Sequence, residues 1–107
     1  MTLDQAASVL AQLGNAHRLA ILRLLVKAGP AGLIVGEIQD RLELPASTLA
    51  FHLKGLVAAG IVVQEKEVRS VRCRPDFRRL DAVLGFVKEQ CCMGLEEAAP
   101  ARRRAAG

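Results

Sequence analysis

The sequence lacks the features that mark a membrane-spanning, secreted or catalytic protein. No run approaches the roughly 20 apolar residues that a membrane-spanning helix needs, and the first residues lack the basic and apolar pattern of a signal peptide. We therefore expect a cytoplasmic protein without a membrane partner. There is no glycine-rich phosphate loop, and the two histidines, His17 and His52, fall on separate predicted helices. The sequence thus predicts neither an enzyme nor a catalytic cofactor.

Cysteine is scarce, and the count of three is odd. In a reducing compartment this argues against a disulfide framework, and it leaves ligation, redox sensing or plain packing. Basic residues, in contrast, are in excess: the net charge is +4, and residues 66–79 hold six basic side chains against two acidic ones. A basic strip of this kind predicts a phosphate backbone as the partner.

Hydrophobic residues make up 51% of the 107 residues, which is more than a small monomer can easily bury. One domain over residues 1–94 is predicted, and the apolar excess indicates a homodimer that buries a helix face. Residues 95–107, rich in alanine and with three successive arginines, are predicted to form a disordered basic tail.

The predicted fold is α+β and mainly helical, with four helices, two strands and a last helix in that order. Apolar spacing, caps and glycine or proline stops set the boundaries. The predicted helices are 2–13, 16–27, 35–42, 46–59 and 77 to about 92, and the predicted strands are 61–66 and 71–74. Thr2 or Asp4, Asn15 and Asp76 are the predicted N-caps. The second helix is apolar on most sides and is expected to be the central core helix.

Residues 44–66 are the most informative segment. In the helix over 46–59, positions 49, 53, 56 and 57 form an apolar face, whereas the opposite face begins with short polar residues. A short helix, a tight turn and such an outward face describe a helix-turn-helix reader of double-stranded DNA, and the basic hairpin after it makes the reader a winged one.

The candidate DNA contacts lie on this helix and on the wing. Base edges are usually read at the start of the recognition helix, where Ser47, Thr48 and Phe51 stand. Phe51 either contacts a thymine methyl group or folds into the core, and we favour exposure slightly. His52 and Lys54 are phosphate or base contacts by position, although a solvated polar face would explain them equally well.

On the wing, Arg69 at the tip is the best candidate for a minor-groove or phosphate contact. Arg72 and Arg74 share one strand face, which we expect to be the solvent side. Arg18, on the core helix, is expected to make a structural ion pair rather than a DNA contact. Arg102–Arg104 predict no specific contact.

This order of elements resembles the arsenic-repressor (ArsR/SmtB) family of bacterial transcription regulators. The resemblance is carried by residues 13–25, 47–56 and 59–62, together with Arg69 and Arg72, and it covers residues 2 to about 94. It implies a homodimer that pairs through its first and last helices, represses an operator and is released by an inducer.

The chain departs from the usual inducer sites of that family. Residues 35–38 lack the Cys-x-Cys pair of many arsenic and cadmium repressors, and the last helix offers Asp81 and Glu89 but no histidine. What remains is Cys91-Cys92, which resembles a subgroup that binds trivalent arsenicals through adjacent cysteines near the end of that helix. The resemblance thus implies arsenite or methylarsenite as inducer.

Other interpretations of the cysteines stay open. Cys91 extends an apolar stripe and can simply pack, but Cys92 lies ~100° further round the helix, so we favour ligation. Cys73 is either a third sulfur ligand or an inward strand residue, with no preference between the two. Zinc is disfavoured because a structural zinc site has four nitrogen or sulfur ligands and only three can be assembled here. The alternatives for the whole chain are a thiol-redox or persulfide-responsive repressor and a ligand-independent DNA-binding module.

Overall fold

The computed structural model describes residues 1–95, so the predicted basic tail lies outside the described residues apart from Leu95. The elements are, in chain order, α1 (Leu3–Leu13), α2 (Ala16–Ala28), β1 (Leu33–Ile34), α3 (Val35–Leu42), α4 (Ala46–Ala58), β2 (Val62–Glu67), β3 (Ser70–Pro75) and α5 (Phe77–Lys88). The predicted mainly helical winged helix-turn-helix fold is confirmed. No helix in residues 1–95 is both long enough and apolar enough to cross a membrane.

The N-caps fix where three helices begin. Thr2 forms a capping box with Gln5, in which each side chain accepts from the other residue's backbone N–H. Asn15 Oδ1 accepts from the backbone N–H groups two and three residues on, at 2.9 and 3.2 Å. Asp76 Oδ1 does the same for α5, at 3.1 Å. Each cap satisfies N–H groups that a helix start leaves without an internal partner.

The sheet has three antiparallel strands in the order β1-β3-β2, whereas the sequence predicted only two. The additional strand, β1, pairs Leu33 with Cys73 and Ile34 with Arg72. Two residues are too few to show the alternation by which a strand is recognised, so no element was predicted over this segment. Gly32, with φ +63°, enters the strand so close to β3 that an added Cβ would overlap the Cys73 carbonyl group.

The last helix is shorter than predicted, because α5 ends at Lys88 and residues 89–92 form a turn. Cys91 N–H donates to the Lys88 carbonyl at 2.8 Å, and Cys92 has a positive φ of 64°. Of the α5 residues only Val83 is buried. With no buried residue near its end to hold the final turn, the helix stops before the two cysteines.

The core lies between α2, α4 and the sheet. Its central side chains come from Ile21, Leu22 and Leu25 of α2 and from Leu49, Leu53 and Leu56 of α4. The expectation that α2 is buried on most sides is only half right, because Leu19 and Val26 on its other face are exposed. Those two side chains line an open apolar groove of about 620 Å³ with Leu80 and Leu84 of α5.

Candidate nucleic-acid interface and cysteine pair

The recognition helix α4 follows α3 after a turn that its backbone makes tight. Glu43 adopts a left-handed conformation (φ 54°, ψ 43°) and ends α3, and Leu44 N–H donates back to the Gln39 carbonyl at 3.3 Å. Pro45 then starts α4 at its N-cap position, where its missing N–H costs nothing. The turn directs the first turns of α4 outward.

Three of the predicted DNA contacts share the outward face of α4. Ser47, Phe51 and Lys54 are exposed and lie at helical spacings of four and three residues, so they form one row along the helix. Phe51 keeps 63% of its surface accessible, which agrees with the expectation that its ring points away from the core. Thr48 is half-buried beside this row. The row offers a hydroxyl, an aromatic ring and an ammonium group to a partner.

His52, also predicted to contact DNA, belongs instead to the buried side of α4. It is 6% exposed, and its Nδ1 accepts a hydrogen bond from Arg18 Nε at 3.1 Å. Burial lowers the pKa of His52, and the positive charges of Arg18 and His17 lower it further. His52 therefore lies inside the protein as a hydrogen-bond acceptor, and a DNA contact through it stays a prediction that its burial does not favour.

Arg18 was missed as part of this site. Among residues 1–95 the expected ion pair is not formed, and the partners of its guanidinium group are the side chains of His52 and Gln12. The same group lies over the Phe51 ring, with Cζ 5.3 Å from the ring centroid, a distance typical of a cation–π contact. Nothing in the sequence spacing indicated that residues of α1, α2 and α4 meet at one point.

The wing is a hairpin whose loop consists of Val68 and Arg69. Both are exposed, Val68 by 88%, and Arg69 has a positive φ of 65°. A side-chain-bearing residue in this conformation is uncommon and carries strain of order 1 kcal/mol or more. Arg69 thus lies at the wing tip, as predicted, with an exposed side chain and a constrained backbone.

Two other wing arginines are engaged in cross-strand ion pairs. Arg72 Nε lies 2.7 Å from Glu67 Oε2, and Arg72 Nη1 donates to the Ala31 carbonyl at 3.2 Å. The bond to Glu67 raises the pKa of Arg72. Arg74 pairs with Glu65. The structure thus gives Arg72 a role in joining the wing to the segment before β1, rather than leaving its guanidinium group open to DNA.

The positive charge of the wing is consequently less available than the sequence count indicated. Within residues 1–95, the exposed side chains of Lys66 and Arg69 form no ion pair. Arg69 lies in the hairpin loop and Lys66 lies on β2 two residues before it, so the charge open to a phosphate is concentrated at the wing tip. The prediction of a basic wing holds for the tip and not for the strand face of Arg72 and Arg74.

The adjacent cysteines lie just beyond α5 and are both exposed and free. Their Sγ atoms are 3.2 Å apart. Because each thiol hydrogen-bonds with its neighbour, and because of some desolvation, the pKa of Cys91 is raised. The alternative of Cys91 packed in the core of the same protomer is not what the structure shows, since its side chain is accessible.

The third cysteine lies elsewhere. Cys73 is fully buried in β3, where Gln64 Nε2 donates to its Sγ at 3.5 Å and burial raises its pKa. Within residues 1–95 no three or more Cys, His, Asp or Glu side chains come together in a way that could hold a metal ion. The structure therefore does not bring Cys73 to the Cys91–Cys92 pair within one protomer, and its inward strand position agrees with the packing interpretation.

A tight turn between two short helices, an outward polar row on the second and a projecting basic hairpin define a winged helix-turn-helix DNA-binding protein. A family described as a helix-turn-helix domain matches residues 13–65. A curated relative, an uncharacterised HTH-type transcriptional regulator of Methanocaldococcus jannaschii, is 39% identical over 64 residues, which are 60% of this chain and 70% of that protein.

Two solved structures are similar over most of their length. HlyU from Vibrio cholerae N16961 is 32% identical with a TM-score of 0.65, and the alignment covers 86% of this chain and 99% of that one. A homodimeric winged helix-turn-helix DNA-binding domain of a possible ArsR-family regulator from Mycobacterium bovis is 27% identical with a TM-score of 0.64, covering 94% and 90%. The chain belongs to the helix-turn-helix transcriptional regulators and is a DNA-binding regulator of the ArsR/HlyU type, so the prediction that it is not an enzyme is confirmed.

Proposed function

We propose that this protein is a cytoplasmic homodimeric repressor that leaves its operator when a trivalent arsenical binds Cys91 and Cys92. The proposal rests on one observation above all: two free, exposed sulfur atoms stand 3.2 Å apart at the end of the last helix. A single soft atom can bridge sulfurs that are already so close, and thiolates select soft centres.

Dimerisation is supported by the apolar side chains that α1 and α5 leave exposed. Leu3 and Leu10 of α1 and Leu84 and Val87 of α5 are between 39% and 73% exposed. Apolar patches of this kind on a small soluble domain mark interaction surfaces. The homodimeric state of the Mycobacterium bovis domain supports the same arrangement here. The two α4 helices of such a dimer would enter successive major grooves, ~34 Å apart.

In this proposal DNA is contacted by two elements of each protomer. The row Ser47, Phe51 and Lys54 faces the major groove, where the ring of Phe51 meets a thymine methyl group. The wing tip with Arg69 reaches the adjacent minor groove or its phosphates. Lys66 adds a phosphate contact.

The sensing step is a ligand exchange without oxidation or reduction. Methylarsenite carries two hydroxyl groups on arsenic; each thiol S–H and each As–OH are exchanged for an As–S bond and a water molecule. The methyl group blocks the third position, so two sulfurs are sufficient. Arsenite keeps one hydroxyl group when it is bound by two sulfurs. Since Cys73 is buried and apart from the pair, a response to methylarsenite is favoured over one that needs three sulfurs.

The surroundings of the pair favour this chemistry over redox sensing. A redox-sensing thiol is usually partly ionised by positive neighbours. The pKa of Cys91 is instead raised, with the hydrogen bond to Cys92 as the main cause. The pair also follows the carboxyl end of α5, whose dipole opposes a thiolate. The net exchange with an arsenical consumes protonated thiols and releases water, so a raised pKa does not weaken the product at equilibrium.

Release requires that ligation and DNA binding be coupled through the dimer. The cysteine pair follows α5 directly, and α5 supplies exposed side chains to the proposed dimer surface. A ring of arsenic and two sulfurs would fix the turn at residues 89–92 and shift the end of α5. The ligated dimer would then space its α4 helices in a way that fits the two half-sites poorly.

The test is release from operator DNA measured by fluorescence anisotropy, with methylarsenite, arsenite, zinc and peroxide added separately. We expect release by methylarsenite from the parent protein and from Cys73→Ser, but not from Cys91→Ser or Cys92→Ser. Serine is nearly isosteric and is a poor ligand for a soft centre. Release of the double Cys91/Cys92 serine variant by methylarsenite would refute the site. Release of the parent by peroxide alone would favour the redox-responsive alternative.

A further inference from the structure

The guanidinium group of Arg18 lies where three helices meet beneath the DNA-facing surface. Its Nε donates to His52 of α4 and its Nη1 donates to Gln12 of α1, while its Cζ lies over the exposed ring of Phe51, 5.3 Å from the ring centroid. The His52 ring also meets Phe51 edge-on at 5.3 Å between centroids, and His17 at the same distance. The ring of Phe51 is thus held by Arg18 on one side and by His52 on another, although most of its own surface is open.

From this arrangement we infer that Arg18 is a positioning residue for base reading: it holds the Phe51 ring in the orientation in which the ring meets the thymine methyl group. The inference rests on the proposal that Phe51 contacts DNA. An exposed aromatic ring on a helix is otherwise free to change rotamer, and a contact with one methyl group is lost if the ring turns away.

Gly55 supports this role because it provides the space for Arg18. A Cβ added at Gly55 would lie 2.8 Å from Arg18 Cζ and Nη1 and 2.9 Å from Gln12 Oε1. Real side chains do not tolerate such distances, so alanine there would push the guanidinium group away. Glycine in a helix is otherwise less favourable than alanine by up to about 1 kcal/mol. The glycine therefore costs some helix stability but leaves the space that the guanidinium group of Arg18 occupies.

The hydrogen bond to His52 fixes which side chain donates and which accepts. A guanidinium group can only donate, so His52 must accept at Nδ1, which requires the neutral ring that its buried position favours. Within residues 1–95 no carboxylate lies within ion-pair distance of Arg18. Its charge is held by uncharged partners and by an aromatic face, and those contacts depend on geometry more than on charge. Lysine, with its flexible stem and compact charge, cannot reproduce them together.

The test compares thymine with deoxyuridine, which lacks only the methyl group. A duplex is first selected from random sequence by the parent protein, and each thymine of one half-site is then replaced in turn. We expect one position at which the parent prefers thymine by about fourfold, the value for one buried methyl group. Phe51→Ala should abolish this preference. Arg18→Lys and Gly55→Ala should reduce it below about twofold, while the slope of log Kd against log salt stays unchanged because no charge is lost.

Gly36→Ala is the matched control, since it adds a Cβ to a helical glycine with nothing within 4 Å. It should keep the fourfold preference. If no position shows a preference, or if Phe51→Ala keeps it, then Phe51 does not read a methyl group and the proposed contact fails together with this inference. If Phe51→Ala abolishes the preference but Arg18→Lys and Gly55→Ala both retain it, only the positioning role is overturned. Should Arg18→Lys fail to fold, Gly55→Ala decides by the same criterion.

Discussion

The buried glycine at the start of β1 gives a stability prediction whose size can be worked from the structure. Gly32 has a φ of +63°, and a Cβ there would overlap the carbonyl group of Cys73 and lie 3.0 Å from Arg74 Cα. Alanine therefore adds strain of about 1–2 kcal/mol from the left-handed backbone and must also displace β1 from β3. Losing the short ladder removes a few backbone hydrogen bonds at about 1 kcal/mol each. The expected loss for Gly32→Ala is about 3–4 kcal/mol.

A loss of this size is a large part of the stability of such a domain, which is of order 5–14 kcal/mol for the described length. Urea unfolding followed by circular dichroism, at one fixed protomer concentration, measures it. Gly29→Ala is the control, because Gly29 also has a positive φ of 93° but an added Cβ meets nothing within 4 Å. That variant should show backbone strain alone, about 1–3 kcal/mol.

Amide hydrogen exchange separates the two variants where their stability losses overlap. In Gly32→Ala the amides of β1 and of the facing part of β3 should exchange at rates close to those of a loop, whereas Gly29→Ala should keep them protected. A Gly32→Ala protein with parental stability and protected β1 amides would refute the reasoning, because it would mean that the close approach of Gly32 to Cys73 does not constrain the sheet.

Three further predictions concern charge and protons. Arg69→Ala should weaken operator binding and lower the slope of log Kd against log salt by about one unit, as measured by salt titration. Arg72→Ala should leave that slope unchanged and lower the free energy of unfolding in urea, because the guanidinium group of Arg72 is bound to Glu67 and Ala31. Burial lowers the pKa of His52 in the folded state, so as the pH falls the unfolded chain takes up the His52 proton before the folded chain does. The free energy of unfolding should therefore decrease as the pH drops below about 6.5. In His52→Asn this pH dependence, measured by urea unfolding, should be shallower. The pKa of Cys91 is raised, and the exchange with methylarsenite releases water rather than protons. Affinity for methylarsenite should therefore be flat through neutral pH and fall only when the thiol ionises. Calorimetric titrations with methylarsenite at several pH values measure this, and an affinity that rises with pH would mean that the binding releases protons, against this reasoning.

The helices were predictable because their signals are local. Thr2, Asn15 and Asp76 were predicted as caps from residue type and position, and the structure shows each of them accepting backbone N–H bonds. The short strand β1 carries no such signal, since its two residues pair only because β3 passes beside them. The end of α5 was predicted too late because sequence periodicity continues through Cys91 while the packing that sustains a helix stops after Phe86.

The candidate site was predictable where a role depends on exposure and not where it depends on long-range contacts. Ser47, Lys54 and Arg69 lie on the surfaces expected from helix periodicity and from the hairpin turn, and Phe51, for which periodicity left both exposure and a core position open, is exposed. The contacts of His52 and Arg72, by contrast, include residues distant in sequence: Arg18 for the first and, besides the nearby Glu67, Ala31 for the second. Helical position alone placed His52 two residues before Lys54 and gave no reason to separate them.

In the proposed mechanism, DNA is bound by α4 and the wing, whereas the inducer is bound just after the last helix, α5. In this mechanism the wing tip and the α4 row contact DNA and Phe51 reads a base, and the guanidinium group of Arg18, from the core helix α2, lies 5.3 Å from the Phe51 ring centroid. A shift of α5 that moved α2 would therefore disturb base reading through Arg18 as well as half-site spacing through the dimer. Leu19 and Val26 of α2 and Leu80 and Leu84 of α5 line one apolar groove, so this groove is where a shift of α5 would first reach α2.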